Sequence, residues 1–454
     1  MPQATAKRDV PVRLQDFSKG YSGDPTQAEL EVADNVEMGR DGWMKCRRGY
    51  VAVGAQITGA PAILGLFDYL KVGQDRRSML LHSGNLRQYN STTAVWDLKS
   101  AFGGTQTALF KMTSYQDEFA YANRVNTFTP RRYDGTTDQA ISGAPAGVAH
   151  MLVAHNTLFM AVDSRLWFTD AATWNIPSTN WIDVAPNNAE IISGLTLSGG
   201  NVVIWKRGAQ YMLFGRDPSS FVLQPVTTQF GNEADEPPVD MQNAGVVLHR
   251  RAPWIWTGGQ LARIGREVFG SGSLQVGLSD LVGIYDGEML MLWQATQAKI
   301  YVYSELYKHW RRYSIAHTVS CFGFFRTLNP PVYIGTTDGK VFQFGTGTTD
   351  DSTAIAAAVQ PEDQDLGQED LIKEVREVFV EGKGTSVSVD LITTYGNGSA
   401  VTTSLGTNLT LPVRRACPPN YNTKFSVKVS GKHDLELIAI VAYVRAHRLR
   451  QQWG

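Results

Sequence analysis

The sequence predicts an all-β chain: a β-propeller of six or seven irregular blades, an extended N-terminal arm, and a C-terminal β-sandwich-like platform domain. Three observations predict it. Residues 331–345, PVYIGTTDGKVFQFG, set two apolar runs either side of Thr-Thr-Asp-Gly, and Asp338-Gly339 supplies the positive φ angles of a two-residue hairpin turn. Both faces of that hairpin carry apolar residues, Phe342 and Phe344 on one and Val341 on the other, as in a sheet stacked between other sheets. The same unit then recurs: taking Leu86, Tyr133, Leu166, Tyr211, Leu261, Ile300 and Val341 as equivalent gives spacings averaging about 42 residues, the length of a four-stranded blade. Uneven spacing leaves a large non-repeating β-sandwich array as the alternative.

Along the chain, residues 1–60 read as an arm with one hairpin, in which Gly39-Arg40-Asp41-Gly42 leads into a basic strand. Lys45, Arg47 and Arg48 there either contact a phosphate or partner, or form the solvated face of an alternating strand. Residues 61–347 carry the propeller repeats. Within them Asp170 and Thr173-Trp174 resemble the Asp-box hairpin of sialidase-type propellers, with Ala172 where that box has glycine, and read as a structural turn with a buried indole. Trp254, Trp256, Trp293 and Trp310 read as packing residues between blades. Residues 348–370 are small and acidic and read as a linker or loop. Residues 371–454 read as a second β-domain with strands at 371–380, 385–394, 400–411, 424–429 and 435–444.

Composition narrows the function. The net charge of −1 gives no basic footprint for a dedicated nucleic-acid binder. The three cysteines, Cys46, Cys321 and Cys417, are far apart and form no CxxC pair, which predicts neither a zinc site nor a disulfide framework and suits a reducing cytosol. No apolar leader and no membrane-spanning stretch is evident. The eight histidines show no metal-binding spacing, and there is no GxSxG, phosphate loop or nucleotide-binding glycine run. The carboxylates are dispersed. No catalytic residue, cofactor or metal is expected.

The order of features resembles the tail nozzle (tail tubular, or head-tail stabilisation) proteins of short-tailed bacteriophages. Five segments carry the resemblance: Asn35-Val36 through Gly42 to Arg47-Arg48-Gly49; Leu166 to Asp170 and Trp174; Ile191 to Leu195 with Val202 to Lys206 and Gln210 to Gly215; Ile264 to Val268; and Lys373 to Val375 through Val427 to Arg445. The resemblance implies a non-enzymatic virion protein assembled in the host cytoplasm. It would form a homo-oligomeric ring of six copies on the portal and adaptor proteins, beside tail fibres or tailspikes, without membrane insertion. Double-stranded DNA would pass through the ring without specific binding, so the lumen should be acidic or neutral. Glu362, Asp363, Asp365, Glu369 and Asp370 are the candidate lumen or gate acids. Tyr307, Trp310, Arg311, Arg312, Tyr313, Arg414, Arg415 and Tyr421 are the candidate interface residues, being of the types enriched at such contacts. A sialidase-like propeller enzyme and a protein-binding propeller scaffold are the alternatives.

Overall fold

The computed structural model describes residues 10–16, 30–38, 43–73, 76–185, 190–241, 244–250, 252–258, 260–264, 281–294, 298–305, 309–325, 332–361, 363–365, 371–396 and 398–448. It is a β-propeller accompanied by a β-sandwich, and among the described residues there is no α-helix. The chain divides into two compact units: residues 50–300 with 315–346, and residues 1–49 with 301–314 and 347–454.

The first unit is the propeller. Blade 1 comprises Ile63–Tyr69, Arg77–His82, Asn85–Asn90 and Val95–Ala101, hydrogen-bonded in that order from the innermost strand outward. Blades 2 to 5 repeat the plan from Phe110–Tyr115, His150–Ala154, Ile192–Ser198 and Val239–Asp240. Blade 6 opens with Leu281–Tyr285 and Met289–Gln294, and the unit boundary falls inside its third strand, Lys299–Ser304. Blade 7 takes Val319–Phe324, Val332–Thr336 and Val341–Phe344 from late in the chain. Its fourth strand, Tyr50–Ala52, comes from the beginning. The first strand of blade 7 packs on that of blade 1, and with blades 4 and 5 joined through Trp205 and Trp256 the seven blades close into a ring.

The blades are held by apolar clusters between neighbours. Ile63, Leu80 and Trp96 of blade 1 meet Cys321, Tyr333 and Val341 of blade 7. Trp205 of blade 4 meets Trp256 of blade 5 edge to face, with ring centroids 5.2 Å apart. The hairpin at 331–345 forms as expected, both strands almost wholly buried. Its loop, however, has three residues: Gly335 pairs with Val341, and the Thr336 amide donates to Lys340. Only Gly339 takes a positive φ, +78°, as in a type I turn ended by a left-handed residue. Six of the seven equivalent positions fall on third strands. Leu261 lies on the fourth strand of blade 5, whose innermost strand is only two residues long.

The second unit is the sandwich, and it corrects the expected domain boundaries. One sheet runs Val36–Met38, Met44–Cys46, Glu436–Arg448, Leu371–Lys383, Val413–Ala416, with Val10–Asp16 also on Glu436–Arg448. The other runs His309–Ser314, Leu30–Asp34, Ala357–Pro361, Lys424–Gly431, Val387–Thr394, Val401–Leu409. Residues 1–49 therefore supply sheet strands where an arm was expected. The expected linker contains the strand Ala357–Pro361, whose Ala357 and Val359 are buried in the core between Leu14, Val375, Phe425 and Ile440.

Arg47 lies at the heart of this unit, 1% exposed. Its five N–H donors all find acceptors: Nε meets Asn35 Oδ1 at 2.9 Å, Nη1 meets Asp350 Oδ1 at 2.8 Å and the Arg48 carbonyl at 2.9 Å, and Nη2 meets Asp350 Oδ2 at 2.5 Å and the Ser314 carbonyl at 2.9 Å. Asn35, itself buried, donates to the Ala356 carbonyl and accepts from the Ser314 amide. Arg47 is thus neither a phosphate contact nor part of a solvated face. Asp350→Ala strands this cation and is expected to cost about 3–5 kcal/mol in urea unfolding, whereas the double replacement Arg47→Met, Asp350→Leu costs much less. Equal losses in the two variants would show that the ion pair is not what holds the segments together.

Candidate functional site

The seven innermost strands enclose the centre of the propeller, and a polar crossing segment reaches it. Between the outer strand of blade 4, Val222–Thr227, and the inner strand of blade 5, Val239–Asp240, the sequence NEADEPPVD occupies residues 232–240. Asn232, 1% exposed, fixes it: Nδ2 donates to the carbonyls of Ser193 and Glu236, at 3.1 and 2.8 Å, and Oδ1 accepts from the Leu248 amide. Gly194 permits the approach, since a Cβ there would stand 2.4 Å from Cδ of Pro238.

The segment delivers two carboxylates to basic residues of other blades. Glu236 pairs with Lys111 of blade 2, and Asp235 takes Arg124 at 3.3 Å and Arg207 at 2.9 Å. Two cavities flank Lys111, each of about 150 Å³. One is lined by Leu109, Lys111, Arg124, Ala149, Asp235 and Glu236. The other is lined by Lys111, His150, Met151, Leu195, Thr196 and Pro237, among others. His150 is 3% exposed; burial, with the nearby Lys111 and Arg124 charges adding to it, pushes its pKa down to about 3 against a backbone hydrogen bond with Ile192. Among the described residues no group of three or more potential ligands could hold a metal ion.

Sequence reasoning missed this cluster. The available signal was the run Glu233, Asp235, Glu236 and Asp240 around Pro237-Pro238, placed between two blades. The predicted site residues lie elsewhere. Trp310, Arg311 and Tyr313 are 2%, 4% and 0% exposed, taken into the interior of the sandwich unit, where Trp310 packs on Tyr303 at 5.1 Å. Burial takes these three side chains away from the surface of the chain. Arg312 ion-pairs with Asp34 at 2.9 Å. Arg414 is exposed, lies over Phe379 and Tyr443, and pairs with Glu377 at 3.3 Å; Arg415 is half-buried and Tyr421 exposed. Asp363 is exposed and Asp365 half-buried; desolvation raises the Asp363 pKa, offset by Lys424. Glu362, Glu369, Asp370 and Tyr307 lie outside the described residues.

The Asp-box-like turn is structural. Asp170 accepts from Asn175 and Asn180 at 2.7 and 2.8 Å, and Ala172 adopts φ +56°, the left-handed conformation that glycine would take without strain. Its indole is half-buried, with Trp174 edge-on to Tyr115 at 4.9 Å and Arg132 over its ring at 5.1 Å.

No known protein family and no curated protein matches the chain. Solved structures do resemble it at low identity. PorZ, a surface component of the type-IX secretion system of Porphyromonas gingivalis, is 12% identical with a TM-score of 0.43, over 69% of this chain and 45% of that one. Streptogramin B lyase is 8% identical with a TM-score of 0.48, over 65% of this chain and 97% of that one. The extracellular domain of a hybrid two component system from B. thetaiotaomicron is 11% identical with a TM-score of 0.49, over 79% of this chain and 47% of that one. The chain therefore spans less than half the length of the first and third.

Two outcomes follow. Trp310→Ala is expected to lower stability by about 3–5 kcal/mol, as emptied aromatic sites do, which urea unfolding will measure; a loss near zero would place the indole at the surface. The unfolded chain takes up a proton on residue 150 near pH 6.5, the native chain only near pH 3, so the unfolded form binds more protons between these values and stability falls as pH falls through that window. At pH about 5 the loss from His150 is about 2 kcal/mol. It should vanish in His150→Leu, and an unchanged pH profile in that variant would refute it.

Proposed function

We propose that the chain is a structural virion protein, the nozzle subunit of a short phage tail. The observation that carries the reading is the role of the first resembling segment. Its Asn35 and Arg47 form the polar centre of the sandwich unit, with Asp350 and Ser314 as partners. A resemblance in that segment is thus one between residues that dictate a fold, which is what a shared scaffold requires.

The propeller's own centre suits this reading. Among the described residues the two cavities beside the Lys111–Glu236 pair hold about 150 Å³ each, far too little for a double helix, whose major groove alone is about 12 Å wide. A DNA conduit would have to be formed between copies around a ring axis, and the acids near Asp363 and Asp365 are the candidates to line it. Asp235 and Glu236 at the propeller centre are held in ion pairs, whereas a glycosidase needs one carboxyl free to give a proton and another to receive one.

The test is assembly. The purified chain, alone and mixed with portal and adaptor proteins of a short-tailed phage, should give rings of six copies on the portal–adaptor complex by light scattering and electron microscopy. A monomer that ignores those partners would overturn the reading, as would its absence from virions of the phage that encodes it.

A further inference from the structure

We propose that the chain in solution pairs with a second copy of itself through one open sheet edge of the sandwich unit, residues 401–405, the two edges running antiparallel about a two-fold axis. The inference concerns a surface that the nozzle reading does not use. The strand Val401–Leu409 ends its sheet and pairs on one side only, with Val387–Thr394. Among the described residues its backbone makes no hydrogen bond on the other side. An edge of this kind offers a row of N–H and C=O groups to any extended chain, and proteins guard such edges with charges or proline. The outer strands of blades 1 to 5 are guarded by Asp97, Asp138, Asp183, Pro225 and Arg263. The other edges of the sandwich carry Pro11, Glu37 and Arg414. Val401–Leu409, reading VTTSLGTNL, has neither a charge nor a proline.

The sequence of that edge identifies what covers it. Past Leu405 the strand bends: the register skips Leu405 between the Asp390–Ser404 and Val389–Gly406 pairs, and Gly406 and Asn408 take φ of +147° and +55°. The straight edge is therefore confined to residues 401–405. Val-Thr-Thr-Ser-Leu keeps the same order of apolar and hydroxyl residues when read in either direction. Two copies set antiparallel about Thr403 place Val401 opposite Leu405, Thr402 opposite Ser404 and Thr403 opposite itself, and no charge meets a like charge. Aliphatic and hydroxyl pairs of this kind stabilise antiparallel strands, whereas a charged segment finds no counter-charge on this edge. The pairing also accounts for an anomaly in burial. Thr403 stands opposite Leu391, which is 1% exposed, so alternation turns Val401 and Leu405 to the core side. Leu405 packs on the core, yet Val401 is 60% exposed. Leu405 of the second copy covers Val401 and joins the two cores. Tyr395 and Tyr421, also well exposed, lie at the same end of the hairpin, where the Thr423 amide donates to the Thr394 carbonyl at 2.9 Å and the Gly396 amide to Thr423 Oγ1 at 3.0 Å. They add apolar area beside the contact.

The full-length protein should be sedimented over a wide range of concentrations, without portal or adaptor proteins. The expected result is a monomer–dimer equilibrium. Thr402→Lys, a change at an exposed position of the edge, should weaken the dimer about tenfold or more. Val222→Lys, on the exposed outer strand of blade 4, should leave it unchanged. Thr403→Cys sets two thiols face to face on the two-fold axis, so mild oxidation should lock that variant as a covalent dimer. The wild type, whose Cys46 and Cys417 are half-buried and Cys321 buried, should stay unlinked under the same treatment. A monomer at every concentration would overturn the proposal, as would a dimer that Thr402→Lys leaves intact or that Thr403→Cys fails to lock. A chain that forms rings of six on the portal but never pairs through this edge refutes this inference alone. A dimer that never meets the portal refutes only the nozzle reading.

Discussion

A guanidinium without water must have every N–H satisfied and a counter-charge at hand, and the sandwich unit is organised around meeting that demand for Arg47. The acceptors come from Asn35, Arg48, Ser314 and Asp350. Arg47 and Asp350 are separated by 303 positions in the chain. A side chain with fewer donors could tie two segments together; the planar five-donor fork ties four. The discontinuity of the unit, drawn from the beginning, a middle excursion and the end of the chain, is tolerable because one residue fixes all of them in register. Tyr313, with Arg47 over its ring at 5.3 Å and its hydroxyl on Glu37 at 3.1 Å, closes the arrangement from one side.

What could be read in advance was local or periodic. The hairpin at 331–345 declared itself because turn chemistry and alternating apolar residues coincide within fifteen or so positions. Third strands were found in six blades because each places an apolar residue against its neighbour at a similar interval. The C-terminal strands were placed within a few residues for the same reason. Arg47 could not be read this way: Lys45-Cys46-Arg47-Arg48 has the look of a solvated basic strand, and what buries its third member is an aspartate far away in sequence. His309 to Tyr313 misled in the opposite sense, since Trp, Arg and Tyr are residues of interfaces and of interiors alike. Only burial distinguishes them.

The propeller centre was illegible for a different reason. Lys111, His150, Thr196, Arg207 and Glu236 come from blades or crossings that no motif links, and each is unremarked in its own neighbourhood. A closed ring brings the same position of successive repeats to one axis, so chemistry can assemble there from residues with no local signature. Ala172 shows the complementary effect: the blade imposes a left-handed turn and the sequence accepts the strain in place of the glycine that would have advertised it.

The strand Tyr50–Ala52 has an implication for how the molecule comes into being. It completes blade 7 by pairing with Val341–Phe344, and Tyr50 lies 4.9 Å from Phe342, ring to ring. On a ribosome that strand emerges first and must wait for a partner synthesised roughly 290 residues later, a loop whose closure cost grows only logarithmically with its length. Until then six blades stand in a row with both outer faces bare. The nascent chain therefore passes through a long interval in which its apolar ends are open to anything with a matching edge, and closure of the ring ends that exposure in one step.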